Sequence, residues 1–150
     1  MIELTDITNT VNLQFDIVGY EFPDSKDDWC LLKVIVQQSG NRFEKTDPAL
    51  EIADLHTLYN WFNDLSKGQL PSNAKLWFTE PCFSLAFISY KNQKVIISIT
   101  LSCELEPDFC LDVPYELQDN WTIFFELSKY NLAMIVKHLK QWIITFPYRT

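Results

Sequence analysis

The sequence predicts an α+β fold: a mainly antiparallel β-sheet with two amphipathic helices packed on it. Three observations lead there. Strand-like runs outnumber helical ones, hairpin-length connections dominate, and only two segments place apolar residues at every third or fourth position. With 150 residues, 47% of them hydrophobic, the chain can bury a sizeable core, and residues 1–150 are expected to form one domain. No internal repeat, low-complexity tract or linker divides it.

The first strand is expected at TVNLQFDIV (10–18), where Val11, Leu13, Phe15 and Ile17 alternate with polar neighbours. Gly19 and Pro23 close it, and PDSKDD makes an exposed acidic turn. WCLLKVIVQQ (29–38) is apolar on both faces through its middle, the pattern of a central strand. QSGN turns it into NRFEKT (41–46), completing a hairpin. A helix follows in TDPALEIADLHTLYNWFNDLSKG (46–68), with Asp47 as N-cap and Pro48 in the first turn. Its apolar face carries Ile52, Leu55, Leu58, Phe62 and Leu65, and Gly68 supplies a left-handed stop. His56 falls off that stripe and reads as a solvated surface residue.

KLWFTE (75–80), FSLAFISY (83–90) and KVIISITLS (94–102) form three further strands, the last two joined tightly through Lys91–Lys94. In the third, Val95, Ile97, Ile99 and Leu101 face one way, while Ser98, Thr100 and Ser102 face the other. WTIFFEL (121–127) turns Trp121, Ile123, Phe125 and Leu127 inward. Ser128 then caps a closing helix whose stripe is Leu132, Ile135, Val136, Leu139, Trp142 and Ile143, ending at Phe146-Pro147.

Charge is the most unusual property of the chain. The formal net charge of −8 disfavours nucleic acid and anionic membrane as partners and favours a cationic one. It is not spread evenly. Residues 51–100 are neutral and residues 120–150 are net basic. The stretch SCELEPDFCLDVPYELQDNW holds Glu104, Glu106, Asp108, Asp112, Glu116 and Asp119 with no Lys or Arg, and Phe109 and Tyr115 are threaded among them. A smaller concentration, EFPDSKDDW, holds Asp24, Asp27 and Asp28. Charge serving solubility alone has no reason to cluster so.

Several chemistries lack their residues. Three glycines, at 19, 40 and 68, cannot build a phosphate-binding loop. Neither His56 nor His138 has a good ligand three or four positions away, and no nucleophile elbow occurs. E-x-E-x-D at 104–108 lacks the glycine and spacing of a calcium loop. No catalytic residue, metal or cofactor is therefore expected. Lys129, Lys137 and Lys140, the only basic cluster, read as the solvated side of the last helix, so no nucleic-acid contact is expected. Acids stand where a signal peptide carries Lys or Arg, and no apolar run approaches the roughly eighteen residues of a membrane span, so a cytoplasmic protein without membrane contact is expected. Cys30, Cys82, Cys103 and Cys110 read as buried free thiols, with a Cys103–Cys110 disulfide as the alternative.

GYEFPD at 19–24 followed by Trp29, DPAL at 47–50 opening a helix with Leu58 and Trp61-Phe62, FTEPCFSL at 78–85, and the aromatic strand and closing helix come in this order along the chain. Together these blocks resemble the WapI family of immunity proteins. Their residues read as structural, so no functional residue is carried over. The resemblance implies tight binding of one cognate partner, the C-terminal domain of a secreted toxin, often a nuclease. A nuclease presents Lys and Arg to its substrate, and clustered carboxylates beside aromatic anchors suit such a surface. The expected partner-binding residues are Glu104, Glu106, Asp108, Asp112, Glu116 and Asp119, with Phe109 and Tyr115 as anchors, joined by Asp24, Asp27 and Asp28. Three alternatives stand beside this: a solvated loop whose rings tuck into the core, an acidic adaptor or nucleic-acid mimic with another basic partner, and a small hydrolase or metal-dependent enzyme using the acidic segment.

Overall fold

The computed structural model describes every residue except Asp119 and Thr150. Among the described residues, eight strands and two helices follow in the order β1 (Ile2–Thr5), β2 (Val11–Tyr20), β3 (Trp29–Gln38), β4 (Asn41–Glu51), α1 (Ile52–Ser66), β5 (Lys75–Leu76), β6 (Phe83–Lys91), β7 (Lys94–Leu101), β8 (Thr122–Leu127) and α2 (Lys129–Thr145). The α+β class is as expected, but the strands form two four-stranded antiparallel sheets, β1-β2-β3-β4 and β5-β6-β7-β8, rather than one. Within each sheet, every strand pairs with its neighbour in sequence. The chain leaves the first sheet through α1, so the later strands close a second meander of their own.

The two sheets and two helices share one buried cluster. Phe15 of β2 meets Phe83 of β6 at 5.6 Å between ring centroids and Trp142 of α2 at 6.1 Å. The expected inward residues of β2, β7 and β8 are all buried, as is the whole expected stripe of α1, to which Trp61 adds. Leu132, Ile135, Leu139 and Trp142 of α2 are buried, with Val136 and Ile143 packed at the margin. A backbone bond from Ile7 N–H to the Phe124 carbonyl (2.8 Å) ties the β1–β2 turn to β8 and so joins the two sheets.

Four local expectations are corrected. A short strand, β1, precedes the first one expected, burying Ile2 and Leu4 against β2. The run 75–80 contributes only Lys75–Leu76 as strand. Helix α1 starts at Ile52, not at Pro48, because β4 continues through Asp47-Pro48-Ala49-Leu50. Ladder pairing of Leu50 with Cys30 and full burial of Ala49 and Leu50 outweigh the local preference for a cap at Asp47. Pro48 is tolerated there because the register shifts between Cys30 and Leu32, leaving it in a bulge on an edge strand. The N-cap is Glu51, whose N–H donates to Asp54 Oδ2 at 2.8 Å. Finally, only Cys30 and Cys82 are buried; Cys103 and Cys110 are exposed, and all four are free thiols.

Other signals act as read. Gly68 has φ +73° after α1, and Asn92 and Gln93, both left-handed, make the tight β6–β7 turn. Ser128 Oγ accepts from Asn131 N–H at 3.1 Å while Asn131 Oδ1 accepts from Ser128 N–H at 2.9 Å, a reciprocal cap on α2. His56 is half-buried and stacks on Tyr148 at 5.3 Å rather than standing free in solvent. Among the described residues, no helix is long and apolar enough to cross a membrane.

Candidate functional site: an acidic loop pinned across the first sheet

The acidic segment connects β7 to β8, adjacent antiparallel strands that a two-residue turn could have joined. Connections beyond about 12–15 residues are uncommon unless they do something. This one is ordered by its own alternation. Leu105 and Pro107 are buried, and Phe109, Leu111 and Val113 pack at the core margin, while Glu104, Glu106, Asp108, Cys110 and Asp112 all face solvent. After a 3-10 turn at Cys103–Leu105, exposure alternates as it does along a strand, without a ladder. The alternation places carboxylates at every second residue, about 7 Å apart where the chain is extended. At that spacing, in water, neighbouring charges repel only weakly.

Bonds to distant parts of the chain fix the loop. Leu101 N–H donates to the Trp121 carbonyl (2.9 Å) at its base, and Ser102 N–H to the Cys82 carbonyl (3.0 Å). Trp121 Nε1–H donates to the Phe109 carbonyl at 3.0 Å, and the two rings meet edge to face at 5.1 Å. Gln38, buried at the end of β3, donates from Nε2 to the Asp112 carbonyl at 2.6 Å and accepts the Asp112 N–H on Oε1 at 2.9 Å. One side chain thus imitates a neighbouring strand. Cys103 (φ +52°) and Asn120 (φ +52°) turn the chain out of β7 and back into β8. The left-handed conformation at a non-glycine residue such as Cys103 costs about 1–2 kcal/mol, which the contacts downstream must offset.

The expected site residues separate on this scaffold. Glu104, Glu106, Asp108, Asp112 and Glu116 are exposed, and among the described residues none pairs with a Lys or Arg. Tyr115 is 87% exposed, whereas Phe109 is committed to Trp121. Asp119 lies outside the described residues. The second acidic group is elsewhere. Asp27 and Asp28 immediately precede Trp29 at the start of β3, and Asp112 is fastened to Gln38 at its end, roughly 30 Å away along an extended strand.

Asp27 and Asp28 are also occupied internally. Asp27 Oδ1 accepts from Trp29 N–H at 2.9 Å, and Asp28 Oδ1 accepts from Arg149 N–H at 3.4 Å. Arg149 donates its guanidinium to the Pro23 and Asp27 carbonyls and lies 3.7 Å over the Tyr20 ring. Asp24 alone of the three is exposed.

One constellation has the shape of a metal site: ligand atoms of Asp47, Cys82 and Glu104 lie within 4.8 Å of one another. Burial, with Asp47 beside it, pushes the Cys82 thiol up to about 12, and the thiol donates to Asp47 Oδ2 at 3.8 Å. Burial and the neighbouring Glu104 raise the Asp47 carboxyl above its ordinary range.

The charge pattern does not point to Trp77, yet that side chain is 69% exposed on the outer face of the second sheet. Alternation in KLWF carries the signal, since Leu76 and Phe78 are buried and Lys75 and Trp77 are not.

The model of the Immunity protein WapI-like family matches residues 3–147, and the chain belongs to that family. No curated protein shows significant similarity to the chain.

Proposed function

We propose that this chain is an immunity protein that binds the C-terminal effector domain of a secreted bacterial toxin and neutralises it in the cytoplasm, by occlusion rather than catalysis. The toxin domain is a nuclease on this reading, because a nuclease must present the Lys and Arg side chains that a row of carboxylates can cover. Family membership supports the class of function. The observation that carries the mechanism is the outward row of Glu104, Glu106, Asp108 and Asp112, unpaired among the described residues and held by Gln38 and Trp121. Charges fixed before the encounter steer association without ordering cost, and the exposed Tyr115 ring adds contact area.

Two measurements test this. Co-expression with a toxin C-terminal domain rescues the host if the chain is that domain's inhibitor. Replacing Glu104, Glu106, Asp108 and Asp112 by Ser is expected to slow association about tenfold or more and to flatten its dependence on salt, with little change in melting temperature. Wild-type kinetics in that variant would place the toxin on another surface.

A further inference from the structure

The outer face of the second sheet is a groove. Cross-strand register sets Ser84, Thr100 and Thr122 in one row and Ala86, Ser98 and Phe124 in the next. Small side chains in the middle of a twisted sheet leave a concavity, here about 690 Å³. Thr100 and Thr122 hydroxyls bond each other at 2.8 Å and close the floor. Trp77 and Ile88, 69% and 48% exposed, line the groove from the β5–β6 side, and Cys103 and Glu106 line it beyond the end of β7. Its floor is deep: Ser98 and Thr122 are buried, and Ser84, Ala86, Thr100 and Phe124 are half-buried.

We propose that this groove is the second half of the toxin-binding surface and takes a loop of the effector domain bearing an Arg or Lys flanked by apolar residues. The inference rests on the reading of the chain as a toxin inhibitor and adds where the buried contact lies. Two features select the occupant. Glu106 belongs both to the carboxylate row and to the groove rim, so a basic surface covering the row continues directly into the groove. Among the described residues Glu106 is also the only acid lining it and Lys75 the only base, so a cation fits beside Glu106. Trp77 then supplies what the row lacks, a large ring that loses water on contact and can stack against a guanidinium or an apolar side chain. Steering falls to the carboxylates and residence time to the groove.

The experiment measures binding of a toxin C-terminal domain that the chain neutralises on co-expression to two variants, with melting temperatures in parallel. Trp77→Ala touches an exposed side chain and is expected to leave the melting temperature within a few degrees while accelerating dissociation about tenfold or more. Ala86→Arg puts a cation on the groove floor and is expected to weaken binding at least as much. If both variants fold and dissociate like the wild type while the four-serine variant associates slowly, the groove proposal is overturned and the carboxylate row stands. If all three bind like the wild type, both fail. Faster dissociation in Trp77→Ala with normal association supports the groove whatever the four-serine variant does.

Discussion

Gln38→Ala isolates what holds the acidic loop in place. Gln38 is 4% exposed and makes three hydrogen bonds, to the Asp112 carbonyl and N–H at 2.6 and 2.9 Å and to Thr10 Oγ1 at 3.1 Å. At about 0.5–1.5 kcal/mol net for each, with roughly 0.8 kcal/mol for the buried methylene, the loss is about 2–5 kcal/mol. It stays at that level because Asp112 is exposed, so its freed backbone groups can bond water instead of remaining unsatisfied. For a chain of this size the melting temperature should fall by roughly 5–20 °C. Amide exchange at Asp112 should accelerate well beyond the global effect, because the contact that protects it is gone. Gln38→Glu sharpens the test: it keeps an acceptor for the Asp112 N–H but faces the Asp112 carbonyl with a carboxylate. Burial raises such a group, so its stability deficit should be largest at neutral pH and shrink as acid protonates it. A melting temperature within about 2 °C of the wild type, with Asp112 exchange unchanged, would refute the account of the loop as pinned.

Other predictions follow from the same geometry. Phe109→Ala should cost about 1–3 kcal/mol by emptying the space beside Trp121, whereas Tyr115→Ala should stay within about 0.5 kcal/mol; paired denaturation curves separate the two rings. Asp47→Asn should raise stability at pH 7. The folded state holds the Asp47 proton more tightly than the unfolded chain, so the carboxyl's contribution is lost as pH rises through the raised value. The gain should vanish as pH falls below the ordinary value of 3.8, and melting curves from pH 3 to 8 check the sign.

Much of the fold was legible in the order of residues. Alternation named the inward sides of β2, β7 and β8, the 3.6-residue stripe named the buried face of α1, and Ser128 and Gly68 marked helix ends. The acidic loop was visible as a charge cluster. Its alternation, from Leu105 to Val113 inward and from Glu104 to Asp112 outward, was written in the same stretch. Gln38 was within reach too, since it continues the inward series Cys30, Leu32, Val34, Val36. β1 escaped because four residues give only two inward positions, too short a run to stand out.

Tertiary structure decided which elements meet. Periodicity says which way a side chain points but not which strand lies beside it, so two sheets could not be told from one. Ladder pairing with Cys30 drew Leu50 into β4 and moved the start of α1 past a favourable cap. Residues far apart in sequence sorted the carboxylates: Arg149 holds the 22–28 loop to the C-terminal tail, while Gln38 holds Asp112 from 74 residues away with its row left open to solvent. Charge is a local property of the chain. Whether it is satisfied depends on neighbours that only the folded backbone brings within hydrogen-bond distance.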